Sequence, residues 1–179
     1  MWARSLVLGT TAMVVVITAC QRLADPSGDL PADIEPIQTQ SSTYELRTEG
    51  DMLRTEIPYT FTNRTGGQVY LVNCRGSFGV RLERLTESGW QTAWSPIMQM
   101  CLGPPIVIGQ GSTFNHTLHV EAGIPGANIE PKFDFDDPSG THRIVWTSAL
   151  SSYDDRESPF GPQIPLEARV SNGFRLELR

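Results

Sequence analysis

The positions of the apolar residues predict a protein built from short strands. From residue 44 to the end, apolar and polar residues alternate with a period of two, and no segment shows a convincing helical period. In the clearest case Leu53, Ile57, Tyr59 and Phe61 alternate with polar residues, as expected for a half-buried strand. Pro58 has no backbone donor, so this strand should lie at a sheet edge or carry a bulge there.

Turn signals separate the strands. "NRTGG" (63–67) predicts a turn with a returning strand over 69–74, and "TESGW" (86–90) predicts a hairpin whose second strand spans 90–94. Seven or eight such strands at turn-marked intervals predict an antiparallel β-sandwich. The remaining predicted strands cover 78–82, 113–120, 141–148 and 173–179.

The first 19 residues follow a different pattern. A short start with Arg4 precedes an apolar stretch over 6–19, which ends in small residues, and this order is typical of a secretory signal peptide. The apolar stretch is about 14 residues, shorter than the ~20 that cross a bilayer as a helix. A permanent single-pass anchor is the alternative.

Ile17, Thr18, Ala19 and Cys20 resemble the lipobox of bacterial lipoproteins. The resemblance implies that Cys20 receives a diacylglyceryl group, that a peptidase cuts before it, and that the new amino group takes a further acyl chain such as palmitate. Several acyl chains anchor a protein stably, whereas one does so marginally. Gln21 in place of Asp resembles lipoproteins sorted to the Gram-negative outer membrane. The expected location is the cell envelope, with the protein anchored by lipid to a membrane. In a Gram-negative cell this would be the periplasmic or surface face of the outer membrane.

These patterns divide the chain into three parts. Residues 1–19 are the predicted signal peptide, and residues 20–43 are the lipidated Cys20 and a flexible spacer, rich in Pro and polar residues and without apolar period. Residues 44–179 are the predicted folded domain.

Several motifs of the folded domain resemble, in order, the immunoglobulin-like domains of bacterial surface lipoproteins. The resemblance implies an immunoglobulin-like β-sandwich and assigns no chemistry, because each motif is a turn followed by a strand. It differs from antibody domains, whose two cysteines pin opposite sheets, because Cys74 and Cys101 are too close in sequence for that arrangement. The motifs are FTNRTGGQVYLVNC, LERLTESGW, IGQGSTF, GTHRIVW and SNGFRLEL.

The net charge and the Gly and Pro content of the chain argue against nucleic-acid binding and against long helices. The net charge is -6, and no basic run is present, so binding to nucleic acid through phosphate neutralisation is not expected. Removal of residues 1–19 would take away Arg4 and leave 13 basic against 20 acidic residues, a charge of -7. The 16 Gly and 13 Pro favour turns over long helices.

With Cys20 assigned to lipid by its resemblance, Cys74 and Cys101 remain. A secreted chain reaches an oxidising compartment, where such a pair most simply forms a disulfide. Two buried free thiols are the alternative.

"MQMC" places Met98, Met100 and Cys101 together, and thioethers with a thiolate suit Cu(I). Cupredoxins, however, need a His and a Met shortly after the Cys, which this chain lacks. His116 and His119 lie three apart on a predicted strand, so they should point to opposite faces. Copper binding is therefore the alternative function, and packing of the methionines in the core is the simpler explanation.

Asp134, Asp136 and Asp137 suggest a calcium loop, since hard cations prefer carboxylate oxygens. The EF-hand spacing fails, because Pro138 and Val145 occupy ligand positions. A solvated loop is favoured, and a second acidic stretch at 152–158 should be an exposed connection.

No enzyme is predicted. The chain has no GxSxG motif and no Ser, His and Asp set marked by its context, and its Gly-rich stretches lack the Lys of a phosphate loop. His142, beside Arg143, is expected at the surface or an edge. The predicted function is a lipid-anchored binding or structural module of the cell envelope, without cofactor, whose partner is an envelope protein or glycan.

Overall fold

The structure is a computed structural model that describes residues 35–98, 101, 103–156 and 160–179. The predicted signal peptide, Cys20 and Gln21 lie outside these residues. No helix in the described part of the chain is both long enough and apolar enough to cross a membrane. The strands are β1 (Ile37–Thr39), β2 (Thr43–Glu49), β3 (Met52–Thr62), β4 (Val69–Leu71), β5 (Val80–Thr86), β6 (Gly89–Trp94), β7 (Ile106–Ile108), β8 (Thr113–Gly123), β9 (Gly140–Trp146), β10 (Ala149–Leu150) and β11 (Phe174–Leu178), with one 3₁₀ turn at Leu166–Ala168.

One layer is centred on the two longest strands. β3 and β8 pair antiparallel along their whole length, from Met52 opposite Gly123 to Thr62 opposite Thr113, and β1 pairs with the far end of β3. The second layer has the strand order β2-β11-β9-β5-β6. The predicted all-β sandwich is confirmed, and its layers have the strand arrangement of an immunoglobulin-like domain.

β2 belongs to both layers. Its last residues, 47–49, pair antiparallel with β3, whereas residues 43–46 pair in parallel with β11. The sandwich is therefore not purely antiparallel. β2 keeps one direction as it passes from one layer to the other, so it runs antiparallel to β3 and parallel to β11.

The core between the layers is aromatic. Trp146 is fully buried, its ring centroid lies 4.5 Å from that of Phe61, and its indole N–H donates to the Tyr59 hydroxyl at 3.2 Å. The odd-numbered apolar residues of β3 point to this core, as their alternation predicts. The predicted 86–90 turn closes the β5–β6 hairpin, with Gly89 at φ 100°.

Two sequence predictions need correction. The strand after the 63–67 turn does not return along β3: β4 pairs with β7 and β10, in a separate three-stranded sheet. The folded domain also begins before residue 44, because Ile37 is fully buried and pairs with Phe61. An apolar side chain that packs in the core extends the domain into the predicted spacer.

Pro58 lies inside the long β3 strand and is accommodated without a bulge. Its carbonyl accepts from the Gln40 amide at 3.0 Å, on the side of β3 that faces β1. The β1 ladder ends at Tyr59, and the β2 ladder begins only at Arg54. The missing donor of Pro58 therefore falls in the gap between two ladders, which is locally a sheet edge.

Candidate functional site at the loop end

Three long connections leave the sandwich at one end. They join β3 to β5 (63–79), β6 to β8 (95–112) and β9 to β11 (147–173), and we call them together the loop end. Each contributes one short strand, so that β10, β4 and β7 form the three-stranded sheet in that order. The three connections are thereby assembled into one surface.

Hydrogen bonds join the three connections to one another. Asn63, fully buried at the end of β3, donates through its side-chain amide to the carbonyls of Ile108 at 2.8 Å and Gly67 at 2.9 Å. The Val72 amide donates to the Ser148 carbonyl at 3.2 Å. The first connection is thus bonded to both of the others, and the loop end is a structured part of the fold.

A disulfide also links two of the connections. The Cys74 and Cys101 sulfur atoms lie 1.99 Å apart, which places the two sequence-predicted cysteines in one bonded pair between the first and second connections. Cys74 is buried against Val72 and Leu150. The bond therefore fixes the start of the second connection against the three-stranded sheet.

An apolar groove of about 290 Å³ opens beside this disulfide. Met98 and Phe160 line it, together with Val72, Leu150 and both cysteines. Phe160 stacks on Tyr153 with ring centroids 5.7 Å apart, and Tyr153 stacks on Tyr70 at 6.5 Å. The groove is therefore bordered by aromatic rings.

The second connection also carries exposed apolar side chains that are not part of the groove lining. Ile97 is 67% exposed and Val107 is 51% exposed, and both belong to the second connection, as does Met98. The sequence has no Asp, Glu, Lys or Arg between Glu87 and Glu121, so this whole connection carries no formal charge. Exposed apolar side chains beside an apolar groove make this connection a candidate site of interaction.

The sequence-predicted copper ligands come together in part. Met98 and Cys101 both line the groove, and Met100 lies outside the described residues. The Cys101 sulfur is bonded to Cys74, so in this state it has no thiolate to offer Cu(I). Within the described ranges, no three His, Cys, Asp or Glu side chains are grouped as metal ligands.

His116 and His119 point to opposite sides of β8, as the spacing predicts. The His116 ring packs against Phe78 at 4.9 Å, and burial lowers its pKa, with a further contribution from His119. His119 is exposed and lies 3.2 Å from a Glu56 carboxylate oxygen. The two imidazoles have separate environments.

The prediction that His142 lies at the surface or an edge is wrong. His142 is fully buried, because it shares the inward face of β9 with Ile144 and Trp146. Its Nδ1 lies 3.0 Å from the Gly140 carbonyl and donates to it, while Nε2 has no hydrogen-bond partner among the described residues. Burial lowers the pKa of His142 to about 4, so the ring is neutral at pH 7.

The outer face of the second layer contains a clamped carboxylate. Glu83 is 5% exposed, and its two oxygens accept from the guanidinium groups of Arg81 and Arg143, at 3.0 and 2.8 Å from their Nε atoms. The Arg143 guanidinium also lies 4.4 Å over the Trp90 ring. Burial raises the pKa of Glu83, but the two arginines outweigh it and hold the pKa below its ordinary value.

A larger hollow, of about 630 Å³, lies along β2 and is lined mainly by charged residues. Its charges are already paired: Arg54 contacts Glu49 at 3.3 Å and Glu121 at 3.5 Å, and Arg179 contacts Glu45 at 2.7 Å. These pairs are solvent-exposed and therefore weak, and the lining stays net acidic, with four carboxylates against three guanidinium groups even when Arg179 is included. The smaller apolar groove at the loop end is therefore the better candidate site.

Comparison with known proteins adds little. No family model and no curated protein matches the chain. Among solved structures, the Pseudomonas fluorescens alkylpurine DNA glycosylase AlkC, bound to DNA containing an abasic site analog, is similar with 10% identity and a TM-score of 0.29. The match covers 81% of this chain and 31% of that one, so the chain spans about a third of that protein. A similarity this low supports no argument about fold or function.

Sequence reasoning missed Ile97, Val107 and the aromatic stack. The long interval without charge, from Ser88 to Val120, is a signal that could have indicated the first two. Nothing in the local sequence relates Tyr70 to Tyr153 and Phe160, because the stack is assembled across two connections.

Proposed function

We propose that this chain is a lipid-anchored module of the cell envelope that binds a partner through its loop end and has no catalytic activity. The lipobox resemblance around Cys20 supports the anchor. The observation that carries the binding role is the open apolar groove. Met98 lines it, the next residue Ile97 is exposed, and Val107 is exposed on β7, opposite Tyr70 of β4. An apolar surface on a structured framework is the usual character of a binding site.

The position of the groove supports the same proposal. Loops positioned by a rigid sandwich commonly carry binding residues, and in immunoglobulin variable domains the connections at one end form the binding surface. Here those connections are joined by a sheet, buried hydrogen bonds and a disulfide. A partner would meet a preformed surface, at low cost in ordering.

Two measurements test the two parts of the proposal. Cells labelled with palmitate should yield lipidated wild-type protein, whereas a Cys20→Ser variant should stay unlabelled and uncut. Continued lipidation of the Cys20→Ser variant would contradict the anchor.

For the binding role, a photocrosslinking residue replaces Ile97 in one variant and Leu178 in another. Leu178 is 45% exposed and follows the segment of β11 that pairs with Gly140, at the end of the sandwich opposite the loop end. We expect adducts in intact cells from position 97 and not from position 178. Equal labelling at both positions would refute binding through the loop end.

A further inference from the structure

Resting on the proposed function, we propose that the partner of the loop end is the bilayer interface of the membrane that holds the anchor. Ile97, Met98 and Val107 would insert at the boundary of the headgroups and acyl chains. The partner that the proposed function does not identify would then be a phospholipid surface.

The chain enters the domain at the loop end. The Pro36 carbonyl accepts from the Thr62 amide at 2.9 Å, so the entering chain lies beside the last residue of β3. The next residue, Asn63, donates to the Ile108 carbonyl at 2.8 Å, and Ile108 is the neighbour of the exposed Val107. The entry point is thus at the loop end. Two hydrogen bonds, from Thr62 to Pro36 and from Asn63 to Ile108, connect it through the end of β3 to β7.

The segment between Cys20 and this entry point is short. Sixteen residue steps separate Cys20 from Pro36 and can span at most about 55 Å. A lipid on Cys20 therefore keeps the domain close to the bilayer. Because the chain enters at the loop end, that end is the part of the domain nearest to the anchor along the chain.

The surface of the loop end is uncharged along the second connection and is bordered by tyrosines. The second connection has no charged residue to desolvate, and the tyrosines Tyr70 and Tyr153 at the groove are of the type that is enriched at membrane interfaces. The described charges of the other two connections are Arg64 and Arg75 in the first and Asp154, Asp155, Arg156, Glu167 and Arg169 in the third. They nearly balance, so we expect insertion to depend on apolar contact more than on anionic lipid.

The opposite end offers a matched control. Leu178 is an exposed apolar residue, but it lies between Glu177 and Arg179, and these pair with Arg175 at 3.3 Å and Glu45 at 2.7 Å. A side chain about as exposed as Val107 is thus available in a charged setting, far from the entry point.

The test uses residues 20–179 with Cys20→Ser, so that no lipid can be attached at position 20. It is floated with phosphatidylcholine vesicles, with and without phosphatidylglycerol. We expect flotation with both, reduced at least fivefold by Ile97→Asp with Val107→Asp and unchanged by Leu178→Asp. Circular dichroism and the urea midpoint show that each variant is folded. Flotation that is absent, or that Leu178→Asp reduces equally, would overturn the inference.

The adducts from position 97 in intact cells separate this inference from the proposed function. Phospholipid adducts, identified by mass spectrometry, support the inference. Protein or glycan adducts without phospholipid overturn it and leave the binding role intact. If position 97 gives no adduct of any kind, both the inference and the binding role fail.

Discussion

The two layers of the sandwich, which we call the body, differ from the loop end in how far their side chains are buried. In the body, buried polar groups such as Glu83 are held by charged partners, and aromatic rings such as Trp146 are fully enclosed. At the loop end an uncharged connection leaves Ile97 and Val107 in solvent, although the strand that contains Val107 is paired with β4. The contrast separates the residues that stabilise the fold from those available for contact, and five changes test it.

The largest effect is expected at the centre of the body. Trp146→Ala should destabilise the domain by about 4 kcal/mol, because it removes a fully buried side chain and leaves a cavity. The free energy of unfolding from urea titration, followed by circular dichroism, measures this. Trp146→Phe provides a milder variant if the Ala variant does not fold. Trp90→Ala, on the outer face of the sheet, should cost much less, and an equal loss would contradict the assignment of Trp146 to the core.

The disulfide should stabilise the loop end more than the body. Replacing both Cys74 and Cys101 by Ser opens a loop with a sequence separation of 27, worth about 3.5 kcal/mol in the chain-entropy model. We expect a lower urea midpoint and faster amide exchange in β4 than in β8. A uniform rise in exchange across both strands would show that the loop end and the body unfold as one unit.

His142 should make the body sensitive to acid. Its pKa is about 4 in the folded state and near 6.5 in the unfolded state, so stability is complete above pH 6.5. As the pH falls from 6.5 to 4 the unfolded chain takes up the proton first, and up to about 3 kcal/mol is lost. His142→Gln should remove much of the difference in unfolding free energy between pH 7 and pH 5. His119→Gln, at an exposed site, should leave it in place, and the reverse result would place the acid sensitivity outside the core.

The clamped Glu83 should contribute less. Glu83→Gln leaves Arg81 and Arg143 without their counter-charge, which should cost about 2 kcal/mol at pH 7, since the guanidinium groups are partly solvated. The pKa of Glu83 is lowered in the fold, so its contribution is present above the ordinary carboxyl pKa and is lost as the pH falls through the folded value. Glu177→Gln, in an exposed pair with Arg175, should be nearly neutral. Equal costs for the two variants would show that the clamp is no stronger than a surface pair.

The sequence predicts the body better than the loop end, for a physical reason. Alternation along β3, β8 and β9 reports which face is buried. It could also have placed His142 in the core through its period-two neighbours Ile144 and Trp146, although the sequence prediction put His142 at the surface or an edge. The partner of a short strand such as β4 is chosen by contacts far along the chain, and a turn signal alone wrongly suggested β3. The clamp on Glu83 likewise depends on a residue 60 positions away. Local pattern records burial, but it does not record which distant strand provides the partner.

The smallest effect on stability, and the sharpest test of the comparison, should come from the loop end. Ile97→Asp should change the free energy of unfolding by no more than about 0.5 kcal/mol, because the side chain is already 67% exposed and no core contact is lost. The same change should abolish most vesicle flotation, whereas Trp146→Phe should lower stability and leave flotation of the folded protein unchanged. If Ile97→Asp instead destabilised the domain by more than 1–2 kcal/mol, a range typical of buried sites, Ile97 would belong to the packed body. The division between stabilising and contacting residues would then fail at its most exposed member.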